Sequence, residues 1–371
     1  MKIENFKLKI LFITRPIAPP WDEASKNFAY NLAKNLPDFK IGLLANKNLK
    51  YLPNNIEQCP IYTSNKLNNY QRARLLKLIS IRNKFDILHI MLTPSKLNSF
   101  CFKNFIIKKN HKVIQTIATL REDLFSDKEI KKMIFGNVVI TYSDYAKNRL
   151  EKLRFKNVKR IYPGINLGYY SPTPKSFRFL INNNLRPEDF IVTYPGEYSR
   201  LGAIDDIVKT ITRLSSSPIK FILACRVKNK KDAKKKEKVI KKLKKHNLLS
   251  KVAFIDTVPD MAKLYNSSDV ILFPARDMKG KFDVPLAVIE AMACEKPVII
   301  SNIPILREFT NGQNSVIIKS GDAEELSNAI LDLYQNKTKC ETIGKTARKY
   351  AEENFDIKKI AGEYREIYES L

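Results

Sequence analysis

The sequence is short of the residues that most often announce a chemistry. Among 371 residues there are three histidines, five cysteines, one tryptophan and eleven glycines. The cysteines, at positions 59, 101, 225, 294 and 340, form no CxxC pair and no metal-like spacing. A disulfide framework and a zinc centre are therefore excluded, and a reducing compartment fits. The histidines, at 89, 111 and 246, are too few and too dispersed for a histidine-rich metal site. Eleven glycines are few for a protein that binds nucleotides through glycine turns. Long apolar runs are missing too. The first, Ile10–Ile13, is soon broken by Arg15, and none approaches the roughly 20 residues of a membrane helix. With no targeting segment in view, a cytoplasmic protein is expected, free or held peripherally on the inner face of the membrane.

What is present suits a folded chain of two domains. The length exceeds one ordinary domain. Hydrophobic residues make up 44% of it, with 20 Phe and 16 Tyr, which excludes a disordered or low-complexity protein. Acidic residues are outnumbered, 38 against 66 Lys and Arg, for a net charge of +28. Residues 1–170 carry +19 of this and residues 171–371 carry +9. Arg226–Lys245 alone supplies +10, so the remainder of the second half is near neutral. Lysines outnumber arginines 49 to 17, whereas a nucleic-acid reader leans on Arg for bidentate contacts. Two explanations of the charge stand open: compositional drift, or an anionic membrane surface or polyanionic acceptor facing the first half.

Along the chain, short apolar runs alternate with helical patterns. Strands are expected at 9–14, 40–46, 86–92, 112–118 and 138–143, and again at 190–194, 219–225, 251–256, 270–274, 297–301 and 315–319. Their continuous apolar character predicts strands buried on both faces, as in a parallel sheet. Strand–helix alternation implies right-handed βαβ units, here two doubly wound α/β domains. The stretch 162–189, rich in Pro, Gly and Asn, reads as a connector. In such sheets ligands bind beyond the carboxyl ends of the strands.

The most informative segment runs from Val270 to Glu308. A strand ends at Pro274, and a polar loop with Arg276, Asp277, Lys279, Lys281 and Asp283 follows. A helix is expected from Pro285, which suits a first helical position. The N–H groups of Val284, Leu286 and Ala287 would then form an anion site. Glu290 follows one turn in, beside the small residues Ala291 and Ala293. N–H groups for phosphate and a carboxylate for ribose hydroxyls are what a nucleoside diphosphate needs. The same pattern also describes an ordinary βαβ unit with a surface Glu.

The residues Ile289-Glu290-Ala291-Met292-Ala293-Cys294-Glu295-Lys296-Pro297-Val298 resemble the donor-site motif of the family 4 glycosyltransferases (glycosyl transferases group 1). Members usually carry Leu-Glu-Ala-Met-Ala followed by Gly-Lys-Pro-Val there. Val139–Ala146 resembles the family's strand end before the linker, and Ile161–Asn166 its linker entry. Tyr194-Pro195-Gly196 stands where the family has Val-Gly-Arg, and Ile305–Glu308 resembles its Ile-x-Glu helix. The likeness covers the second half well and the first half loosely. It implies the GT-B fold: two Rossmann-like doubly wound domains facing across a cleft. The domains would be 1–165 on the acceptor side, a linker at 166–188, a donor domain at 189–345, and C-terminal helices at 346–371 returning to the first domain.

The sequence also departs from the family pattern. Phe282 stands where the first Glu of the motif belongs, and the nearest carboxylate is Asp283. Asp283 either replaces that Glu at the donor sugar or caps the following helix. Glu197 occupies the position of an expected Arg after Gly196. Arg200 and Arg226 are the nearest cations, to be read as diphosphate ligands or as surface ion pairs. The glycine-rich loop after the first strand is replaced by Pro16–Ser25. Its Trp21 either stacks on a sugar or packs, and Ser25 lies on the acceptor side. The segment Thr116–Arg121 lacks the family's histidine. His89 closes a strand as a core or cleft-lining residue.

The resemblance implies a retaining transfer of a hexose from a nucleoside-diphosphate sugar to a hydroxyl of a glycan or lipid-linked acceptor. No cofactor and no essential metal are expected, and no nucleic acid. Asp283, Glu290, Arg200 and Arg226 are the expected catalytic set. Gly196, Arg200, Arg226, Val284, Pro285, Leu286 and Glu290 would bind the donor, with Trp21, Ser25 and His89 on the acceptor side. Two other readings stay open. One is a polyanion- or nucleic-acid-binding α/β protein. The other is a GT-B protein that binds a sugar nucleotide without transferring it. Lys234–Lys245 reads as a helix with a cationic outer face, solvated or turned to a membrane. Asn68–Phe85 and Phe100–Lys112 are further basic, partly apolar stretches suited to surface docking.

Overall fold

The structure, a computed structural model, describes residues 6–17, 23–45, 49, 52–63, 67–82, 85–107 and 111–371. The chain forms two units. The first comprises Met1–Ile165, Gly280–Asp283 and Asp356–Leu371, and the second Asn166–Lys279 and Val284–Phe355.

The first unit alternates strand and helix: β1 (Lys9–Ile13), α1 (Ala24–Lys34), β2 (Lys40–Leu44), β3 (Ile56–Cys59), α2 (Asn69–Arg82), β4 (Ile87–Ile90) and α3 (Lys96–Cys101). After α3 the helix widens into a π-type turn over Phe102–Ile106. Then come β5 (Lys112–Ile117), α4 (Asp127–Met133), β6 (Val138–Thr141), α5 (Asp144–Lys152) and β7 (Val158–Arg160). The seven strands form one sheet in the order β3-β2-β1-β4-β5-β6-β7, with every pair parallel. The central strands β1, β4 and β6 are buried at every position but Lys9 and are mostly apolar, as strands covered by helices on both faces are. The two edge strands β3 (IEQC) and β7 (VKR) had no counterpart in the apolar runs. Each is only partly buried and carries polar residues, as an edge strand does.

The second unit comprises α6 (Phe177–Ile181), β8 (Ile191–Tyr194), α7 (Ala203–Arg213), β9 (Lys220–Ala224), α8 (Lys230–Lys245), β10 (Val252–Ile255), α9 (Met261–Asn266) and β11 (Val270–Phe273). It continues with α10 (Leu286–Ala293), β12 (Val298–Ser301), α11 (Pro304–Arg307), β13 (Val316–Ile318), α12 (Ala323–Gln335) and α13 (Lys337–Asn354). Its parallel sheet runs β10-β9-β8-β11-β12-β13. The order reverses direction at β8, which creates a topological switch point between β8 and β11.

Of the helices expected to return to the first domain, α13 packs with α10 and α12 in the second unit. The last helix, α14 (Ile357–Glu369), lies in the first unit. Its buried residues Ile357, Ile360, Ala361, Tyr364, Ile367 and Tyr368 recur at helical spacing and make one apolar stripe. Tyr364 and Tyr368 enter an aromatic core with Phe12, Phe28, Phe39 and Tyr142. The Lys-rich α8 buries Val239 and Leu243, while Lys235 and Lys236 pair with Asp205 and Asp256 of the same unit. Among the described residues no helix is long and apolar enough to cross a membrane.

Candidate active site

Three adjacent strands of the second unit, β9, β8 and β11, end at one edge of their sheet. The turn after β8 is shaped by Gly196, whose N–H donates to Ala224 O at 3.2 Å. A Cβ on Gly196 would stand 2.0 Å from the Tyr194 ring, so only glycine fits. Glu197 is buried and accepts from Lys228 Nζ at 2.8 Å, while Arg200 Nε lies 3.5 Å from its other oxygen. Arg226, next after β9 and Cys225, is partly buried, and that burial lowers its guanidinium pKa. The two turns are fastened together. Asp232 accepts from the Ser199 hydroxyl and from the Lys228 N–H at 3.1 Å. Arg276, in the loop after β11, makes a bidentate pair with the buried Asp206 at 2.8 and 2.6 Å. Its own N–H donates to Leu201 O at 2.7 Å. Gly202, at φ +66°, leaves room for the Arg276 side chain, which a Cβ would meet at 2.6 Å.

Glu290 sits in α10, a helix buried along nearly its whole length. Pro285 is the N-cap rather than the first helical residue, so Leu286 and Ala287 carry the first N–H groups, which lack intrahelical acceptors. Glu290 is only 6% exposed. Tyr265 of α9 donates its hydroxyl to Oε2 at 2.9 Å, and the Tyr170 hydroxyl supplies a second hydrogen bond. Burial raises the carboxyl pKa, and the two tyrosine bonds pull it back in part. A carboxylate offers about four acceptor positions, so two phenols leave about two unused. Arg348 of α13 secures this arrangement from behind. Its guanidinium donates to Tyr170 O at 2.8 Å and to Ala293 O, in the last turn of α10, at 2.6 Å. A surface Glu on an ordinary βαβ unit is not what the chain builds here.

The remaining expected residues belong to the first unit. Asp283 is buried, and the Ser143 hydroxyl donates to its Oδ2 at 2.5 Å. Ser143 is also the N-cap of α5, accepting from Ala146 N–H. The Asp283 N–H donates to Ala118 O at 3.0 Å, and Phe282 packs edge-on against Tyr142. Its side chain and its backbone N–H are thus both bonded within the first unit. His89 requires a correction. It is fully buried, with Nδ1 bonded to Tyr368 OH at 2.8 Å and Nε2 to Thr116 Oγ1 at 2.7 Å. Phe12, Tyr364 and Tyr368 surround the ring, and burial pushes its pKa down to about 3. It is a core residue and cannot touch an acceptor. Ser25 is half-buried in the first turn of α1, and Trp21 lies outside the described residues. Among the described residues no cluster of His, Cys, Asp and Glu could hold a metal ion.

Sequence reasoning missed Tyr170, Tyr265, Lys228 and Arg348. Tyr265 follows Leu264 on the apolar face of α9 and reads there as core. Lys228 is lost in a run of lysines, and Arg348 in an exposed-looking helix.

Residues 177–350 match the family of glycosyl transferases group 1. The uncharacterized glycosyltransferase MJ1069 of Methanocaldococcus jannaschii is 22% identical over 92% of this chain and 90% of its own length. Anabaena HepE, solved in complex with UDP and glucose, aligns with a TM-score of 0.77 at 18% identity, over 98% of this chain and 100% of that one. Sucrose-phosphate synthase from Thermosynechococcus elongatus aligns with a TM-score of 0.79 at 17% identity, over 98% and 99%. Residues 177–350, close to half of the chain, thus match a glycosyl transferases group 1 domain, and the fold is the GT-B fold of these solved glycosyltransferases.

Proposed function

We propose that the enzyme moves a hexose from a nucleoside-diphosphate sugar to a hydroxyl of a glycan or lipid-linked acceptor, with retention at the anomeric carbon. The observation that carries this is Glu290. A buried carboxylate held by two phenols, on the helix following β11, keeps acceptor positions for the two hydroxyls of a ribose. Arg200, Arg226 and Lys228, on the turns after β8 and β9, supply positive charge at the same sheet edge for the diphosphate. The first N–H groups of α10, with Val284 and Pro285 shaping the approach, add fixed dipoles. These groups stabilise the charge that develops as the anomeric carbon–oxygen bond breaks. The acceptor oxygen attacks from the face the diphosphate leaves, and its proton passes to the departing phosphate. No side-chain nucleophile and no metal is given a role. Asp283 is assigned the anchoring of its loop through Ser143 rather than the donor sugar.

The acceptor partner is read as lying at an anionic membrane surface, on the charge of the first 170 residues. HepE was solved with UDP and glucose, which makes a UDP sugar the first donor to test. The test is a thermal-shift panel of UDP, GDP and ADP sugars, followed by a transfer assay on wild type and Glu290→Ala. A donor that binds the native state raises its melting temperature. Loss of turnover in a folded Glu290→Ala supports the assignment, and unchanged kinetics refutes it. Glu197, an acid where the family carries Arg, favours a second reading: a protein that binds the sugar nucleotide without transfer. Detectable transfer or donor hydrolysis excludes it.

A further inference from the structure

Twelve large apolar side chains are exposed among the described residues, and four of them lie on α2, α3 and the wide turn that follows. Tyr70 is 60% exposed, Leu97 52%, Phe100 57% and Phe105 61%. Phe100 and Phe105 stack edge-to-face with centroids 5.8 Å apart. In a regular α-helix, residues five apart point about 140° away from one another. The pair meets because the helix widens: Ile107 N–H donates to Phe102 O at 2.9 Å, an i→i+5 bond. Such turns are rare and frequently occur at functional sites. The chain thus adopts a less favourable helical geometry, and its effect is to bring two phenylalanines together in water. Arg72 donates to Asn98 at 3.1 and 2.7 Å and to Asn69 at 2.7 Å, which sets the first turn of α2, with Tyr70, beside α3.

The surroundings are cationic. From residue 67 to 107 the sequence holds seven Lys and Arg against one acid, Asp86, and continues into Lys108 and Lys109. Lys103 donates to Lys132 O at 3.2 Å, which brings the basic end of α4 beside the wide turn. Arg74 stacks over Tyr70. The one carboxylate of α4 nearest α3, Glu129, is paired with Lys96. Aromatic side chains set among lysines match the interface of an anionic bilayer, where rings enter the headgroup level and ammonium groups stay in water. A second copy of this chain would bring the same positive charge against itself.

We propose that this aromatic–lysine face of the first unit is where the enzyme docks on an anionic lipid bilayer, with Phe100 and Phe105 as the inserted pair. The proposal rests on the reading of an anionic membrane as partner and names its contact surface. The test is sedimentation of full-length protein with vesicles of phosphatidylcholine containing about a third phosphatidylglycerol. Wild type is compared with Phe100→Ser/Phe105→Ser and with Lys103→Gln/Lys132→Gln, and melting temperature reports folding. Wild type is expected to bind these vesicles and to lose binding in pure phosphatidylcholine. The phenylalanine double variant should partition at least tenfold more weakly, and the lysine variant about tenfold more weakly. If wild type binds while both folded variants bind equally well, the face is wrong and the membrane reading survives. If wild type ignores the vesicles, or instead binds a single-stranded oligonucleotide in a phenylalanine-dependent way, both fall. Should either variant misfold, a Trp placed at Phe105 must show a blue-shifted emission with anionic vesicles, and an unchanged spectrum overturns the proposal.

Discussion

Replacing Glu290 with Gln should do two opposite things at once. The carboxyl is buried, and burial raises its pKa above the ordinary 4.5. The folded state therefore binds the proton more tightly than the unfolded state. The stability associated with that proton is fully present below pH 4.5 and is lost as pH rises through the raised folded value. Once the pH exceeds that raised value the native protein holds a buried charge, whose effective cost is several kcal/mol. The tyrosine bonds offset part of it, since a hydrogen bond to an ion exceeds a neutral one by about 1 kcal/mol each. The amide keeps the shape and both phenol contacts, so the variant should gain about 1–3 kcal/mol at pH 8. For a unit of this size that is on the order of 5 °C in melting temperature. At pH 4 both side chains are neutral and the gain should vanish. Donor binding should move the other way. Neutral bonds in place of ionic ones to two hydroxyls weaken the donor by about 10- to 100-fold. The assay is paired calorimetry at pH 8 and pH 4 with titration of the sugar nucleotide found active. A variant that melts lower than wild type at pH 8, or binds the donor equally well, refutes the reasoning.

Two further outcomes follow from buried groups. His89 has its pKa pushed down to about 3, against an unfolded value near 6.5. The neutral ring contributes its full stability above pH 6.5, and that contribution falls with pH at up to ~1.4 kcal/mol per unit. About 3 kcal/mol should disappear by pH 4. Urea midpoints measured across this range should lose most of that slope in His89→Gln, and identical slopes would show the ring is not buried as described. Arg348→Ala strips the carbonyls of Tyr170 and Ala293 of a charged donor and should cost about 3 kcal/mol in chemical denaturation. It should also raise the KM for donor more than it lowers kcat, because it acts through the position of Glu290. A purely structural Arg348 would leave the KM unmoved.

Most of the sheet could be read from the sequence because its strands are covered on both faces. KILFI, KIGLL and VILF are apolar at almost every position, which no half-exposed segment affords. The edge strands IEQC and VKR are covered less and look like loop. The same contrast governs the site. Glu290 is legible because it stands in a local motif with small neighbours. Its charge state is not, because that depends on Tyr265 and Tyr170, which only the packing of α9 and of the segment after Ile165 brings to it. His89 was misplaced for the same reason. The Tyr368 that covers it comes from the opposite end of the chain, and a strand-end histidine looks identical in sequence whether or not such a helix returns.

The departures from the motif become intelligible when charge is counted by place rather than by position. An Arg after Gly196 would put one cation on that turn. Here Glu197 stands there instead, but its carboxylate is buried and turned between Lys228 and Arg200, holding each by an ion pair. With Arg226 the two turns carry three cations against Glu197, and the buried Asp232 that fastens them brings the net to about one positive charge. A diphosphate ester brings about two negative ones. On the proposed donor site the loop after β9 supplies the cation that the family pattern carries after Gly196, the first N–H groups of α10 meet the remaining charge, and Glu197 fixes the geometry of its neighbours. On this argument Glu197→Arg does not restore the family motif. It places a fourth cation against Lys228 and Arg200, removes the acid that orders them, and should weaken the donor rather than strengthen it.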